Sequence, residues 1–207
     1  MKILNLYSCL GGNRLLWENC EVTSIELDPI LCDLYKKRFP NDIVICDNAH
    51  KYLLHNYQYF DFIWSSPPCP THSRARFARN KNIKKVYPDL KLYEEILFLK
   101  HHCKTLYVIE NVIPYYEPLI RGKTIGRHIF WSNFTINNFD HRKSPSLENK
   151  NYMKNLCDFH NYDFYQYKGK QSVNKIARNL VDYEIGKNIL DIALGIYECK
   201  TNQLTLF

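Results

Sequence analysis

Five short apolar runs alternate with helical stretches over the first 110 residues, and the polar residues with chemical potential gather at the same end of each run. Residues 2–8, 22–27, 42–46, 59–65 and 105–109 are rich in β-branched and aromatic side chains and read as strands. A Gly11-Gly12 turn and a short amphipathic helix over 14–19 follow the first strand. Asp28 reads as an N-cap and Pro29 as a first-turn proline, opening a helix to Phe39. Leu92, Ile96 and Leu99 space a helix over 90–103. Strand and helix in alternation predict an α/β fold with a doubly wound, mostly parallel sheet, whose ligands sit at the carboxyl ends of the strands. Ser8-Cys9, Glu26, Asp47, Pro67-Pro68-Cys69 and Glu110-Asn111 all fall just past a predicted strand end, so five elements converge on one rim.

After Phe134 the alternation fades. Residues 135–174 are polar and aromatic without a clear period, which fits either a loop-rich insertion or a small subdomain. A last helix over 184–198 is amphipathic through Ile185, Ile189, Ile192 and Ile196. The expected organisation is one catalytic unit made of 1–134 and 175–207, with 135–174 as a short variable insertion. A chain of 207 residues can bury a full core without staples. No apolar run approaches the ~20 residues needed to span a bilayer. The polar turn soon after Met1 is unlike a secretory signal, so a cytoplasmic location and reduced thiols at all eight cysteines are expected, in a host-cell cytoplasm if the chain is viral. No paired Cys-x-x-Cys motif is present and Cys157-x-x-His160 has no partner pair, so no metal is expected.

The net charge of +7 permits a polyanionic partner without demanding one. Its distribution is more telling: Arg74, Arg76, Arg79, Lys81, Lys84 and Lys85 lie between 71 and 88 with no acidic residue among them. They follow a constrained segment, Ser65-Ser66-Pro67-Pro68-Cys69-Pro70-Thr71-His72-Ser73, in which three prolines in four positions fix the backbone around one thiol. Such a cysteine is either a presented nucleophile or a buried, inert thiol in a proline-rich loop. Val108-Ile109-Glu110-Asn111-Val112 delivers a carboxyl group to the same rim, as a general acid or as a capped strand end. Glu26, at the end of the second strand, stands where an acidic group commonly receives ribose hydroxyls; a solvated surface carboxylate is the plainer alternative. Asn5 to Gly12 is a strand running into a glycine turn, able to bring backbone amides close to a ligand or simply to turn the chain.

Taken together, Pro68-Cys69 after the fourth strand and Glu110-Asn111-Val112 after the fifth resemble the signature of the cytosine-C5 DNA methyltransferases, in the manner of a small phage-like or orphan member. Ser8-Cys9-Leu10-Gly11-Gly12 is similar to that family's first loop. Ala177-Arg178-Asn179-Leu180-Val181 is similar to its last motif. The resemblance implies a Rossmann-like fold with S-adenosylmethionine as cofactor, held by Tyr7, Ser8, Cys9, Gly11, Gly12, Glu26 (ribose), Leu27, Asp47 (adenine amino group), Asn48, Pro67, Asn179 and Val181. It implies Cys69, Glu110 and Asn111 as the catalytic set, and nucleic-acid contacts from Ser73, Arg74, Arg76, Arg79, Arg127 and His128.

The departures from the family pattern are Asn5 for its Asp, Cys9 for its first Gly, Pro70 for the Gln after the cysteine, and Arg178 for a Gly. A single Arg127-His128 pair stands in place of its Arg-rich motif, and only about 40 residues stand in place of a target recognition domain.

The chemistry implied is addition of the Cys69 thiolate to cytosine C6, which makes C5 nucleophilic towards the methyl donor. Glu110 would bond N3 and stabilise the charge pushed there, and Asn111 would position the Cys69 loop. The expected partner is DNA with its target cytosine flipped out; no membrane and no obligate protein partner are implied. Transfer RNA with the same chemistry, or a catalytically inactive cofactor-binding subunit, are the rival readings. The absence of a carboxylate cluster at the rim disfavours a metal-dependent nuclease.

Overall fold

A computed structural model describes residues 1–74, 86–146 and 149–197. Its strands are β1 Lys2–Leu6, β2 Glu21–Glu26, β3 Ile43–Cys46, β4 Phe62–Ser65, β5 Leu106–Val112, β6 Lys123–Ile125 and β7 His128–Ser132. They form one sheet in the order β3-β2-β1-β4-β5-β7-β6. β1 to β5 pair in parallel, and β7 runs antiparallel to both its neighbours. The helices are α1 Pro29–Arg38, α2 Ala49–Asn56, α3 Lys91–His102, α4 Tyr152–His160, α5 Val173–Asn179 and α6 Tyr183–Ala193. This is the doubly wound, mostly parallel α/β sheet that the alternation predicts.

Period-2 side-chain alternation sorts the strands onto two cores. Leu4, Leu6, Ile25, Ile63 and Ile109 meet Leu53 of α2 and Leu92, Ile96 and Leu99 of α3. Ile3, Val22, Phe62, Trp64 and Val108 meet Ile185, Ile189 and Leu190 of α6. Each such burial contributes about 1.5–3 kcal/mol, so both sheet faces are firmly covered.

A third cluster joins Leu10, Leu31 and Leu34 to Tyr152, Leu156, Phe164 and Tyr167. Residues 135–174 therefore contribute a helix and a short 3-10 turn that pack onto α1 and the first loop. Their lack of a clear period follows from how short these elements are.

Local chemistry explains several boundaries. The Asp28 side chain accepts from the Ile30 N–H, Pro29 opens α1, and Lys36, Lys37 and Arg38 occupy its last turn, where the helix dipole favours cations. Asn48 caps α2 by accepting from the Lys51 N–H at 3.0 Å. α6 ends at Ala193, short of the expected 198, because the chain turns through Gly195 at φ 71°.

The helix expected over 14–19 does not form. Arg14 reaches Asp42 with Nε and Nη2, both at 3.0 Å, while Trp17 is buried and donates from Nε1 to the Gly186 carbonyl. These tertiary contacts hold the segment as turns. β5 extends past the predicted end at 109 because β7 pairs with it antiparallel, so Glu110 and Asn111 lie within a strand. The alternation gave no sign of β6, β7, α2, α4 or α5.

No helix among the described residues is long and apolar enough to cross a membrane. The seven described cysteines are free thiols.

Candidate active site

The chain leaves β1 through two residues in left-handed backbone conformation, Tyr7 at φ 55° and Cys9 at φ 49°. Non-glycine residues rarely adopt that region, and where they do the strain marks a constrained loop. Cys9 stands where the family pattern has glycine, and its φ is one that glycine adopts freely. The Cys9 N–H donates to Glu26 Oε2 at 2.9 Å, while Glu26 Oε1 accepts from Leu27 and Asp28 at 2.8 and 3.0 Å. The Glu26 carboxylate thus closes the first loop onto the end of β2. Its two oxygens offer about four acceptor positions, and one remains for an incoming hydroxyl.

Gly11 and Gly12 have a different reason from the one their loop suggests. A Cβ at Gly11 would meet the rings of Phe39 and Tyr35 at 2.6 and 2.7 Å, and one at Gly12 would meet the Val181 carbonyl at 2.5 Å. Close packing against α1 and the segment after α5 requires both glycines, and neither lines the cavity described below. Val181 belongs to the sheet core, and the Ser8 hydroxyl turns to the Ile25 carbonyl. Asp47 is exposed and accepts from the Asn48 N–H; it is Asn48 that reaches the cavity.

The second half of the site hangs on β4 and β5. Ser65 pairs with Ile109, so the loop leaving β4 starts beside Glu110. Asn111 donates from Nδ2 to the Pro67 carbonyl at 2.9 Å, and its Oδ1 accepts from the Val112 N–H. The Cys69 carbonyl accepts from the N–H groups of His72 and Ser73, forming a tight turn. His72 is buried with Nδ1 2.6 Å from the Tyr116 hydroxyl. Ser73 bridges to Pro114, and Arg74 donates to the Pro114 carbonyl at 2.9 Å, so both anchor this loop to the segment after β5. Arg76 and Arg79 lie outside the described residues.

Antiparallel pairing sets Glu110 opposite Phe130 and Val112 opposite His128. Glu110 and His128 are therefore diagonal neighbours on one face, with Glu110 Oε1 3.5 Å from His128 Nε2. Burial pushes the Glu110 carboxyl up to about 7, against the opposing pull of the Ser66 hydroxyl and the Arg127 charge. Burial, with Arg127 and His160 nearby, pushes His128 down to about 3, so its imidazole is neutral.

Burial and the Glu110 charge push the Cys69 thiol up to about 11. That thiol lies 3.9 Å from Asn179 Oδ1, at the end of α5. Arg127 is turned inward: its guanidinium donates to the carbonyls of Arg178 and Leu180, fixing the turn that carries Asn179. It holds protein backbone where a phosphate contact was expected.

These elements enclose a cavity of about 510 Å³ lined by Tyr7, Cys9, Glu26, Leu27, Asn48, Pro67, Cys69, Glu110, His128 and Asn179. The volume is ordinary for a small-molecule site. Four further lining residues lie outside the sequence motifs. His50 and Lys91 arrive on α2 and α3, and Gln171 and Lys175 arrive from around α5. Beneath the cavity the fully buried Glu95 accepts from Tyr7 Oη and, at 2.8 Å, from Ser65 Oγ. It also bonds His50 Nδ1 at 3.0 Å, which raises the His50 pKa. Glu95 sits inside a helix with nothing in its spacing to distinguish it from a surface acid.

The C-5 cytosine-specific DNA methylase family model matches residues 1–113, more than half of the chain and the span that carries Tyr7, Cys9, Glu26, Cys69 and Glu110 of this cavity. The chain belongs to that family. Among solved structures it is similar to DNMT2 from Spodoptera frugiperda, with 24% identity and a TM-score of 0.39 over 54% of this chain and 35% of that one. It is also similar to the methyltransferase EhMeth from Entamoeba histolytica, with 16% identity and a TM-score of 0.36 over 54% and 38%. The chain thus spans little more than a third of the length of these structures. No curated protein matches it.

S-adenosylmethionine is the methyl donor that family membership implies, and the residues present fit it. Glu26 keeps one acceptor position free at the end of β2, and Leu27 offers an apolar side chain 67% exposed beside it. Among the described residues no group of three or more His, Cys, Asp or Glu side chains could hold a metal ion.

Proposed function

We propose that this chain transfers a methyl group from S-adenosylmethionine to C5 of cytosine in DNA, through a transient covalent bond between Cys69 and C6. One observation carries the reading: Cys69 and Glu110 line the same cavity as Glu26, and burial raises the Glu110 carboxyl to about 7. The cofactor supplies an electrophilic methyl group; the residues of the chain do the rest. Cys69 adds to C6 as the thiolate, forming the S–C6 bond and pushing an electron pair towards N3. Protonated Glu110 donates to N3 and stabilises that charge from a buried position. C5, now enamine-like, takes the methyl group; loss of the C5 proton to a base and cleavage of the S–C6 bond then restore the aromatic ring and return the thiolate. Asn111 holds the Pro67 carbonyl and with it the Cys69 turn, so thiol and carboxyl keep their separation.

A thiol raised to about 11 is neutral in the free protein. Lys175 and Arg127 pull its pKa in the other direction, and Lys175 lines the cavity. A cytosine inside a duplex cannot enter such a cavity, so the reading includes flipping of the target base. Arg74 and the basic residues that follow it would hold the flanking phosphates. Residues 135–174 would stand where a larger member has its target recognition domain. The protein would work in the cytoplasm.

The test offers duplex DNA and transfer RNA in parallel with labelled S-adenosylmethionine, with Cys69→Ser beside the wild type. Label recovered as 5-methylcytosine in DNA, and lost in the variant, supports the proposal. Label in RNA alone keeps the chemistry and overturns the substrate. Cofactor binding without label in either polymer overturns the enzymatic reading.

A further inference from the structure

His128 is the one lining residue shared, among the described residues, by the catalytic cavity and a second one. That second cavity, of about 230 Å³, is bounded by Gly126, Arg127, His141, Arg142, Asp182 and their neighbours. The two nitrogens of the His128 ring have different surroundings. Nε2 lies 3.5 Å from Glu110 Oε1, and Nδ1 is buried without a hydrogen-bond partner. Asp182, which bounds the second cavity, also keeps one buried oxygen, Oδ2, without a partner. Buried polar atoms are nearly always satisfied, by ordered water where protein groups do not reach them.

Resting on the methyl-transfer reading above, we infer that His128 connects Glu110 to solvent in the second cavity and sets its protonation while cofactor and base fill the first. In the release direction the Glu110 O–H bond breaks and an Nε2–H bond forms, while the Nδ1–H proton passes to a water drawn in beside the buried Nδ1 from the second cavity. In the uptake direction Nδ1 takes a proton from that water and Nε2 returns one to Glu110. The ring is neutral before and after each transfer and only its tautomer changes. That suits a group whose surroundings oppose a charge: burial, Arg127 beside it and His160 on α4 all disfavour the imidazolium. Glu110 on β5 is the acidic group facing it. In the lining of the second cavity Asp182 is paired with Arg142, and His141 and Lys143 are the other titratable groups. His128 is thus a positioning and proton-transfer partner of Glu110, acting on substrate only through that carboxyl.

The experiment compares wild type, His128→Gln and His128→Ala for methyl transfer between pH 6 and 9. S-adenosylmethionine affinity is measured alongside as a check on folding. Glutamine keeps a polar contact to Glu110 but cannot relay a proton. The expected result is a kcat reduced by about 100-fold in His128→Gln, the lower end of what proton-transfer groups contribute. KM and cofactor affinity should stay within about twofold. Imidazoles added to His128→Ala should restore the rate, with an effect that depends on the pKa of the added base. A His128→Gln enzyme at the wild-type rate, or rescue by apolar molecules of imidazole size as effective as imidazole, overturns the inference and leaves the methyl-transfer reading standing. Absence of transfer in the wild type overturns both.

Discussion

Asn111 Nδ2 donates to the Pro67 carbonyl at 2.9 Å, a buried hydrogen bond linking residues 44 positions apart. It ties the strand that carries Glu110 to the loop that carries Cys69. Asn111→Ala leaves that carbonyl unpaired in the interior, at a cost of about 1–3 kcal/mol. The expected enzyme binds S-adenosylmethionine normally but has a kcat lowered at least tenfold, because thiol and carboxyl no longer keep their separation. Asn111→Asp, which puts an acceptor against an acceptor, should be worse. Titration calorimetry with turnover assays checks both; unchanged kcat in Asn111→Ala would falsify the positioning role.

The Glu110 charge is one of the two main causes that push the Cys69 thiol up, after burial. Glu110→Gln removes that charge, so Cys69 should ionise at lower pH than in the wild type while staying above an ordinary thiol. Iodoacetamide alkylation followed by peptide mass spectrometry resolves Cys69 from the other cysteines. An alkylation profile at Cys69 that does not move to lower pH in Glu110→Gln defeats this account.

Stability should carry the mark of the same carboxyl. In the folded chain Glu110 holds its proton up to about 7, whereas the unfolded chain releases it near the ordinary 4.5. The folded state is therefore progressively penalised as pH rises from 4.5 to 7, and the full penalty persists above 7. A shift of this size corresponds to about 3 kcal/mol. Relative to wild type, Glu110→Gln should gain about that much between pH 4 and pH 8. Urea denaturation at both pH values measures it, and a pH-independent difference between the two proteins would contradict the burial argument.

Glu95 lies fully buried under the cavity and anchors Tyr7, Ser65 and His50 together. Glu95→Ala leaves three polar side chains without their acceptor and should destabilise the fold, at about 1–3 kcal/mol for each group left buried and unsatisfied. Glu95→Gln should fold, yet bind S-adenosylmethionine several-fold more weakly, since Tyr7 and His50 both line the cavity. Equal cofactor affinity in Glu95→Gln and wild type would show that the network serves stability alone.

Cys9 is held at φ 49°, where an L-residue is strained by about 1–2 kcal/mol. Glycine relieves the strain but gives up the thiol's partial packing beside Leu10. Cys9→Gly should therefore melt within a few degrees of wild type or slightly above it, whereas Cys9→Val should melt clearly lower. Thermal denaturation of the three proteins decides; a strongly destabilised Cys9→Gly would place the contribution of Cys9 in its packing.

Much of the architecture follows from local pattern. The strands up to β5 declare themselves by β-branched and aromatic runs, and Asp28-Pro29 announces α1 through its own capping chemistry. Cys69 and Glu110 stand out in the sequence because prolines around one residue, and an acid after a buried run, are unusual locally, and the structure sets both at one cavity. α2, α4 and α5 were not legible, because 7 to 9 residues give too few turns for a helical period to stand out.

The rest depends on partners far along the chain. Glu110 and His128 are neighbours because β7 pairs antiparallel with β5, and no local period encodes which strand a hairpin joins. Glu95 differs from a solvated helix acid only because Tyr7, Ser65 and His50 converge on it from three other elements. Arg127 holds the carbonyls of Arg178 and Leu180, a role that exists only once residues about 50 apart are packed together. Local pattern alone specifies β1 to β5 and the rim at which Cys9, Glu26, Cys69 and Glu110 gather, through interactions within a few residues. Tertiary structure decided the protonation and placement of the reactive groups, because burial and long-range charge arise only when distant segments meet.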